Sequence, residues 1–304
     1  MALYKIDKKL TIIKDVSFKL EREIQRLIEK NLDVLLNLDF IKSEFSHNNF
    51  RIDTLAFDNE SKSFVIIEYK RDKTFSVIDQ GYAYLSLMLN NKADFILEYN
   101  ESKSESLKRN DVDWSQSKVI FISPNFTSYQ REAINFKDLP IELWEIKKFE
   151  NNIFSFEQIQ KTTAKESIKT ISKTDEIVEK VSKEIFVFSE QDHIQKGEVE
   201  IQELYEQLRG RILNMDYDIM IQPKKWYIAF KINKTNFCDI ELQKKCLKLS
   251  INMKSGNLQD PKNIARDVST IGHSLNGDYE IKLSDNENID YILSLINQSL
   301  KKNK

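Results

Sequence analysis

Glycine is scarce in this chain of 304 residues: there are six, and only Gly81 precedes residue 197. Loops that cradle phosphates need glycines where backbone N–H groups must approach an anion closely. The first two thirds of the chain therefore contain neither a GxGxxG loop nor a Walker A loop. The nearest imitation, Gly272 to Gly277, is followed by Asp278 rather than by lysine. These absences exclude nucleotide-binding enzymes of both classes.

Cysteine and long apolar runs are scarce as well. The two cysteines, Cys238 and Cys246, predict neither a disulfide framework nor a zinc site. No apolar run approaches the ~20 residues that a membrane helix needs. Charges interrupt residues 1–15 too often for a signal peptide. We therefore expect a cytoplasmic protein with no membrane partner.

Neither sign of charge dominates, since the chain has 46 Lys and Arg residues and 48 Asp and Glu residues, and its formal net charge is −2. This balance excludes a polybasic binder, but it does not exclude nucleic acid, because charge can be sorted between faces. With 40% hydrophobic and 31% charged residues the chain is expected to be folded. At roughly 150 residues per domain, its length predicts two domains.

The hydrophobic spacing of the N-terminal half alternates between helical and strand periods. The predicted elements are helices at 17–37, 76–90 and 127–136 and strands at 50–58, 63–70, 118–124 and 141–149. A polar turn joins the first two strands as a hairpin. Three successive apolar residues in the second strand indicate that both of its faces are covered. The expected fold class is α/β, with a mixed sheet flanked by helices.

A polar stretch then separates the two predicted domains. We place a first domain at 1–158 and a helical or flexible linker at 159–196, where glycine, proline and aromatic residues are sparse. Residues 197–304 read as a second, small α+β domain with helices at its beginning and its end. Composition alone does not decide between a solvated helix and a tether for the linker.

Three charged residues carry the chemistry that the sequence predicts. Glu68 and Lys70 alternate onto one face at the end of an apolar strand, and the adjacent hairpin strand can set Asp53 beside them. Two carboxylates with a backbone carbonyl can hold Mg²⁺ and leave positions for water and phosphate. A lysine can then orient the water or stabilise the transition state. This arrangement suits metal-assisted phosphodiester hydrolysis.

The alternative is that these charges are a solvated strand end. The neighbouring residues favour a functional role for these charges, because Gln80 and Tyr84 follow four residues apart on one helical face, next to Gly81. Around the only early glycine, a backbone or a ligand can approach closely.

The segments RID (51–53), IIEYK (66–70) and QGYAY (80–84) together resemble the PD-(D/E)XK nuclease superfamily. The resemblance covers residues 17–150 and implies a restriction-endonuclease-like fold. It implies that Asp53 and Glu68, with the carbonyl of Tyr69, hold Mg²⁺ or Mn²⁺.

The same resemblance implies that Lys70 assists the attacking water and that Gln80 steadies the site. It also implies a further acid on the first helix. Glu21 and Glu23 both flank the apolar face of that helix, and we favour Glu21.

The implied substrate is DNA, and a homodimer would suit cleavage of both strands of a duplex. The nucleic-acid contacts that we expect are Arg51, Arg71, Lys73 and Tyr84. The C-terminal part resembles a small domain of uncharacterised function that is loosely labelled transport-related. Three hypotheses remain: a metal-dependent nuclease, an inactive nucleic-acid-binding module on a nuclease scaffold, and an interaction protein whose strand-end charges are structural.

Overall fold

The computed structural model describes residues 2–6, 8–47, 50–71, 76–161, 166–170, 175–271 and 275–304. The strands are β1 (Leu3–Ile6), β2 (Leu10–Ile13), β3 (Asp15–Val16), β4 (Asp39–His47), β5 (Phe50–Asp58), β6 (Ser63–Tyr69), β7 (Lys118–Ser123), β8 (Ile141–Phe149), β9 (Ile153–Gln158), β10 (Met220–Pro223), β11 (Ile228–Ile232), β12 (Thr235–Leu242), β13 (Leu247–Ile251), β14 (Arg266–Asp267) and β15 (Tyr279–Leu283). The α-helices are α1 (Glu21–Glu29), α2 (Leu32–Leu36), α3 (Val77–Asn90), α4 (Lys92–Lys103), α5 (Ser128–Ala133), α6 (Glu176–Glu184), α7 (Glu190–Ile194), α8 (Val199–Leu213) and α9 (Ile289–Asn303).

The chain divides into two compact units, Met1–Val187 and Phe188–Lys304. The segment expected to be a linker, 159–196, contains α6, whose Val178 and Val181 are buried in the core of the first unit. α7 of the same segment belongs to the second unit. This segment is polar on average, but its few apolar residues occur at helical spacing on one face of α6, and they are the residues that pack into the core.

The first unit is built on a mixed sheet with the strand order β3-β8-β7-β6-β5-β4, and β9 pairs with β8. β6, β7 and β8 run parallel to one another, whereas β4, β5 and β6 are antiparallel. Helices connect the parallel strands, as such connections require. The prediction of a mixed sheet flanked by helices is confirmed.

Helices cover both faces of the sheet, and β6 is buried along its whole length. Ile66 packs into the core that α3 closes, and Ile67 packs into the core on the opposite face, where Ile24 and Ile28 of α1 lie. These two α1 residues are four apart, so one face of the helix meets the sheet. The expectation that both faces of this strand are covered is confirmed.

The predicted single helix at 17–37 is wrong, because the chain forms two helices there. α1 begins at Glu21, and Asn31 adopts non-helical backbone angles (φ −136°, ψ 25°) before α2 starts. The Asn31 side chain donates from Nδ2 to the Leu27 carbonyl at 2.7 Å and so caps the last turn of α1. The predicted strands at 50–58 and 141–149 agree with β5 and β8.

The second unit carries an antiparallel sheet in the order β10-β11-β12-β13-β15-β14. α8 and α9 bury apolar residues in the core with alternate residues of the central strands. The prediction of a small α+β domain is confirmed. Within the described part of the chain, no helix is both long enough and apolar enough to cross a membrane.

Gly277 in the second unit has a φ of +81°, and a Cβ atom there would lie 2.2 Å from the Ile251 carbonyl oxygen. Gly256 has a similar φ of +80° but open space around it. We expect Gly277→Ala to lower the free energy of unfolding by about 2–5 kcal/mol, through left-handed strain and a backbone clash. Gly256→Ala adds only the strain, about 1–2 kcal/mol. Denaturant unfolding of both variants measures the difference, and equal losses would contradict the clash.

Candidate active site

The C-terminal end of β6 brings a glutamate and a lysine together inside the first unit. Glu68 is 3% exposed, and Lys70 donates from Nζ to Glu68 Oε1 at 2.6 Å. The backbone N–H of Lys70 donates to the Ile122 carbonyl at 2.9 Å, so the chain still follows β7 at this point. The ion pair is therefore held at the C-terminal end of an interior strand that is otherwise apolar.

Asp53 joins this pair because β5 and β6 separate just before it. The ladder between the two strands runs from Asp58 opposite Ser63 to Thr54 opposite Ile67. One residue beyond the ladder, Asp53 Oδ2 accepts a hydrogen bond from the Tyr69 backbone N–H at 3.0 Å. The side chain thus bridges the gap that opens between the strands, and this bond sets its carboxylate beside Glu68.

The two carboxylates repel each other in a poorly hydrated place. Burial, and next the charge of Asp53, raises the pKa of Glu68, and Lys70 opposes that shift. Burial also raises the pKa of Asp53, against the lowering effect of the Tyr69 N–H and of the charges of Lys70 and Arg51. Glu68 Oε2 is buried and accepts no hydrogen bond from the described residues. A buried anionic oxygen without a partner is costly unless a cation pairs with it.

α3 supplies an amide and a phenol on one face, as the spacing of four predicts. Gln80 donates from Nε2 to Glu68 Oε1 at 3.2 Å and to the Tyr84 hydroxyl at 3.1 Å. The Tyr84 hydroxyl donates to the Arg51 carbonyl at 3.3 Å. Tyr84, which we expect to contact nucleic acid, is 5% exposed and packs inside the site.

Gly81 lies between these residues, and the close packing of strand β8 against α3 requires a glycine here. A Cβ atom at this position would come within 2.5 Å of the Ile141 side chain of β8. The close approach that the sequence predicted is therefore made by a core residue. The glycine lets α3 lie near the sheet, which in turn brings Gln80 within reach of Glu68.

α1 presents Glu21, rather than Glu23, to the end of β6. Glu21 Oε1 accepts the Arg71 backbone N–H at 2.8 Å, and its charge contributes to raising the pKa of Asp53. Glu23 turns back and accepts the Lys19 N–H at 2.7 Å. That hydrogen bond is the main reason why the pKa of Glu23 is lowered. Glu21 is therefore the acid of α1 that lies at the end of β6, and its functional role stays a prediction.

A second layer of polar residues, which the sequence patterns missed, lies behind Asp53. Gln25 is 6% exposed and donates from Nε2 to the Asp53 carbonyl at 2.9 Å. Glu29 Oε1 accepts from the Thr54 hydroxyl at 2.6 Å, and that hydroxyl lies 3.2 Å from the Tyr69 hydroxyl. A signal was present, because Gln25 and Glu29 continue the spacing of four that begins at Glu21 and make a polar stripe on an otherwise amphipathic helix.

The predicted phosphate contacts have different surroundings. Arg51 is exposed and lies 3.3 Å from a Glu44 carboxylate oxygen. Arg71 donates from Nη1 to the Lys19 carbonyl at 2.6 Å, and this fixes its position beside α1. Lys73 lies outside the described residues.

The residues present fit a divalent cation of the hard, oxygen-preferring kind. No three His, Cys, Asp or Glu side chains among the described residues converge as a metal site by themselves. Mg²⁺ does not need such a cage, because it is commonly bound through one or two carboxylates together with water and phosphate oxygens. Asp53 and Glu68 supply two carboxylates, and Glu68 Oε2, which has no hydrogen-bond partner in the part of the chain that the structure describes, supplies an oxygen that a cation would stabilise.

Sequence comparison finds one relative over nearly the full chain. An uncharacterised protein of Haemophilus influenzae is 53% identical over 292 residues, which cover 96% of this chain and 96% of that protein. The family model described as a domain of unknown function (DUF5655) matches residues 190–302. The expectation that a domain of uncharacterised function forms the C-terminal part is thereby confirmed.

Solved structures match the chain only weakly. A repair endonuclease from Pyrococcus abyssi is 15% identical with a TM-score of 0.23, covering 44% of this chain and 60% of that chain. EndoMS in its apo form is 13% identical with a TM-score of 0.25, covering 43% and 58% respectively. This chain therefore spans about 60% of the length of these structures, and likenesses at this level carry no inference about activity.

The repulsion between the two carboxylates predicts an unusual mutational effect. In the presence of a chelator, Asp53→Asn should raise the free energy of unfolding by about 0.5–2 kcal/mol, because it removes one buried charge and keeps an oxygen for the Tyr69 N–H. Asp33→Asn removes the same charge from an exposed position of α2 and should change stability by less than about 0.5 kcal/mol. Denaturant unfolding measures both, and a loss of stability in Asp53→Asn would refute the repulsion.

Proposed function

The chain belongs to the same family as the uncharacterised Haemophilus influenzae protein, which it matches along almost its entire length, and because that protein is uncharacterised we propose a function from the site itself. The proposed function is a metal-dependent nuclease that hydrolyses phosphodiester bonds of DNA. One observation carries the proposal. Glu68 Oε2 is buried and has no hydrogen-bond partner among the described residues, in a carboxylate that lies beside Asp53 and is bonded to Lys70 through its other oxygen. In a purely structural ion pair both carboxylate oxygens are expected to be solvated or hydrogen-bonded.

Asp53 and Glu68 are the residues that would hold Mg²⁺ or Mn²⁺, with the Tyr69 carbonyl as a further oxygen. The Tyr69 N–H already orients the Asp53 carboxylate, and Gln80 and Lys70 already orient Glu68. When bound, the ion supplies charge neutralisation at the phosphate and a more acidic water. Preorganised ligands of this kind lose little conformational freedom on binding.

In this proposal Lys70 assists the attacking water. Its ammonium group is held by a buried carboxylate, while 22% of its side chain stays exposed and can reach an incoming phosphate. A fixed positive charge next to the reacting phosphate stabilises the negative charge that develops in the transition state. In this proposal Lys70 donates to the water and to a phosphate oxygen, and Glu68 keeps it in place.

Gln80 and Glu21 act as supporting groups in the same proposal. Gln80 holds Glu68 Oε1 from the α3 side. Glu21 holds the Arg71 N–H, and with it the chain that leaves β6 immediately after Lys70. Glu21 also adds negative charge near Asp53, which favours a cation at the site. Arg51 and Arg71 are the proposed contacts to the DNA phosphates, and DNA itself is the substrate that the PD-(D/E)XK resemblance implies.

The first test of the proposal is a cleavage assay with supercoiled plasmid and single-stranded DNA in Mg²⁺, Mn²⁺ or EDTA. The wild type should cleave only with metal, and Lys70→Ala should lose about 100-fold or more of the rate, because it removes the charge beside the phosphate. Asp53→Ala should abolish cleavage.

The chain offers a matched control in Lys118, which opens β7 across from Val65. Its side chain is also 22% exposed and is paired with a glutamate, Glu142, at 2.7 Å. Lys118→Ala therefore carries a comparable structural loss, yet it should cleave at the wild-type rate. Wild-type cleavage by both Lys70→Ala and Asp53→Ala would rule out this site, and DNA retention without any cleavage would indicate an inactive binding module.

Metal binding can be tested without activity. Mg²⁺ should raise the melting temperature of the wild type, since it binds the folded state and relieves the carboxylate repulsion; saturation at 100 times the dissociation constant corresponds to about 2.7 kcal/mol. Asp53→Asn should show little or no shift, whereas Lys118→Ala should show the full shift. Thermal denaturation after chelator treatment, followed by Mg²⁺ titration, measures this. An equal shift in Asp53→Asn would exclude Asp53 as a ligand.

A further inference from the structure

Phe50 is an exposed aromatic residue at the end of β5 that lies nearest to the candidate site. Its neighbours along the strand, Ile52, Leu55 and Phe57, are almost completely buried, whereas Phe50 is 42% exposed. Its ring centroid lies 6.2 Å from that of Tyr84 at an interplanar angle of 68°, an edge-to-face contact. One edge of the ring is thus supported by the protein, and much of the remaining surface is open.

A short chain of contacts links this ring to the carboxylates. Phe50 packs on Tyr84, the Tyr84 hydroxyl lies 3.1 Å from Gln80 Nε2, and Gln80 Nε2 lies 3.2 Å from Glu68 Oε1. Tyr84 is itself buried by these neighbours. Two side chains, Tyr84 and Gln80, therefore connect the exposed ring to a carboxylate that would bind metal.

Positive charge lies near the carboxylates at the same end of the sheet. Arg51, the next residue of the strand, is largely exposed and acts electrostatically on Asp53. Lys70 is partly exposed beside Glu68. An exposed aromatic ring in the neighbourhood of cations is the pattern by which proteins bind unpaired strands, because the ring stacks on a base while the cations contact the phosphates.

The alternative explanation is structural: Phe50 only shields Tyr84 from water. An aliphatic side chain would shield Tyr84 equally well, so the two explanations make different demands on the residue at this position. In intact duplex DNA the bases are stacked on one another, so a protein ring reaches a base face only at the cost of unstacking or flipping that base. A base that is already unpaired offers its face without that cost.

We propose that the substrate is single-stranded DNA, or an unpaired stretch of a duplex, and that Phe50 stacks on the base beside the phosphodiester that is cut. This inference rests on the proposed nuclease function for its reaction, but the stacking contact can be measured separately from cleavage. It specifies the polymer and the base nearest to the reacting phosphate, and it requires no particular base, because every base has a π face.

The stacking can be measured with an oligonucleotide that carries 2-aminopurine, whose fluorescence is quenched when the base stacks. The Lys70→Ala protein is used with Mg²⁺, because its cleavage should be slow enough for binding to be measured before the strand is cut. The single strand should be quenched on binding and should bind more tightly than the same sequence as a blunt duplex. Adding Phe50→Ala should weaken binding about 5- to 100-fold and remove the quenching.

Two further variants separate stacking from shielding. Phe50→Trp should keep both affinity and quenching, because it retains a flat ring. Phe50→Leu should keep the fold and the cover over Tyr84, yet lose the quenching. Tyr217→Ala is the matched control, since it removes an exposed aromatic ring (93% exposed) from the second unit and should leave binding unchanged.

Several outcomes would overturn the inference. Phe50→Leu with wild-type affinity and quenching would show that Phe50 only shields Tyr84, and equal or tighter binding of the duplex would refute the choice of strand. Tighter binding of an RNA oligonucleotide of the same sequence would refute the choice of DNA. If Phe50-dependent quenching occurs but the wild type cleaves no DNA with any metal, the stacking contact is supported and the proposed nuclease function fails.

Discussion

The hydrogen bond between the Tyr69 N–H and Asp53 Oδ2 is the interaction on which the rest of the site depends. The β5–β6 ladder ends at Thr54 and Ile67, and beyond it the two strands no longer satisfy each other's backbone groups. The Asp53 carboxylate takes the place of a ladder partner for Tyr69 and is thereby drawn next to Glu68. A buried N–H needs an acceptor, so the same requirement that stabilises the strand end also assembles two carboxylates at one point.

This assembly opposes folding locally, because burial raises the pKa of both carboxyl groups and the charge of Asp53 raises the pKa of Glu68 further. The surrounding polar residues hold the charges in place. Gln25 fixes the Asp53 carbonyl from α1, and Gln80 fixes Glu68 from α3. Two helices on opposite faces of the sheet therefore contribute one amide each. Such support is characteristic of sites whose geometry must be ready before the ligand binds.

α3 joins the chemistry of the site to its surroundings. Gly81 allows the helix to approach β8, and this approach lets Gln80 and Tyr84 reach the end of β6. Tyr84 in turn carries the packing outward to Phe50 and holds the Arg51 carbonyl. The proposed reaction centre and the proposed base-stacking surface are thus connected through one helical turn, and a change in the packing of α3 would affect both.

The sequence by itself determined the local order of this protein. Strand-period patterning predicted β5 and β8, a run of successive apolar residues predicted β6, and a spacing of four placed Gln80 and Tyr84 on one face of α3, because these periods follow from backbone geometry. It also singled out Asp53, Glu68 and Lys70, whose catalytic roles stay predictions.

The tertiary structure decided what depends on distant contacts. Glu21 rather than Glu23 meets Arg71, 50 residues away, and Gln25 meets the Asp53 carbonyl, 28 residues away. It also decided that Tyr84 is buried while Phe50 is exposed. Hydrophobic periodicity assigns a residue to a face of its own helix or strand. Only packing between elements determines which residue stays exposed to solvent and which distant residue it contacts.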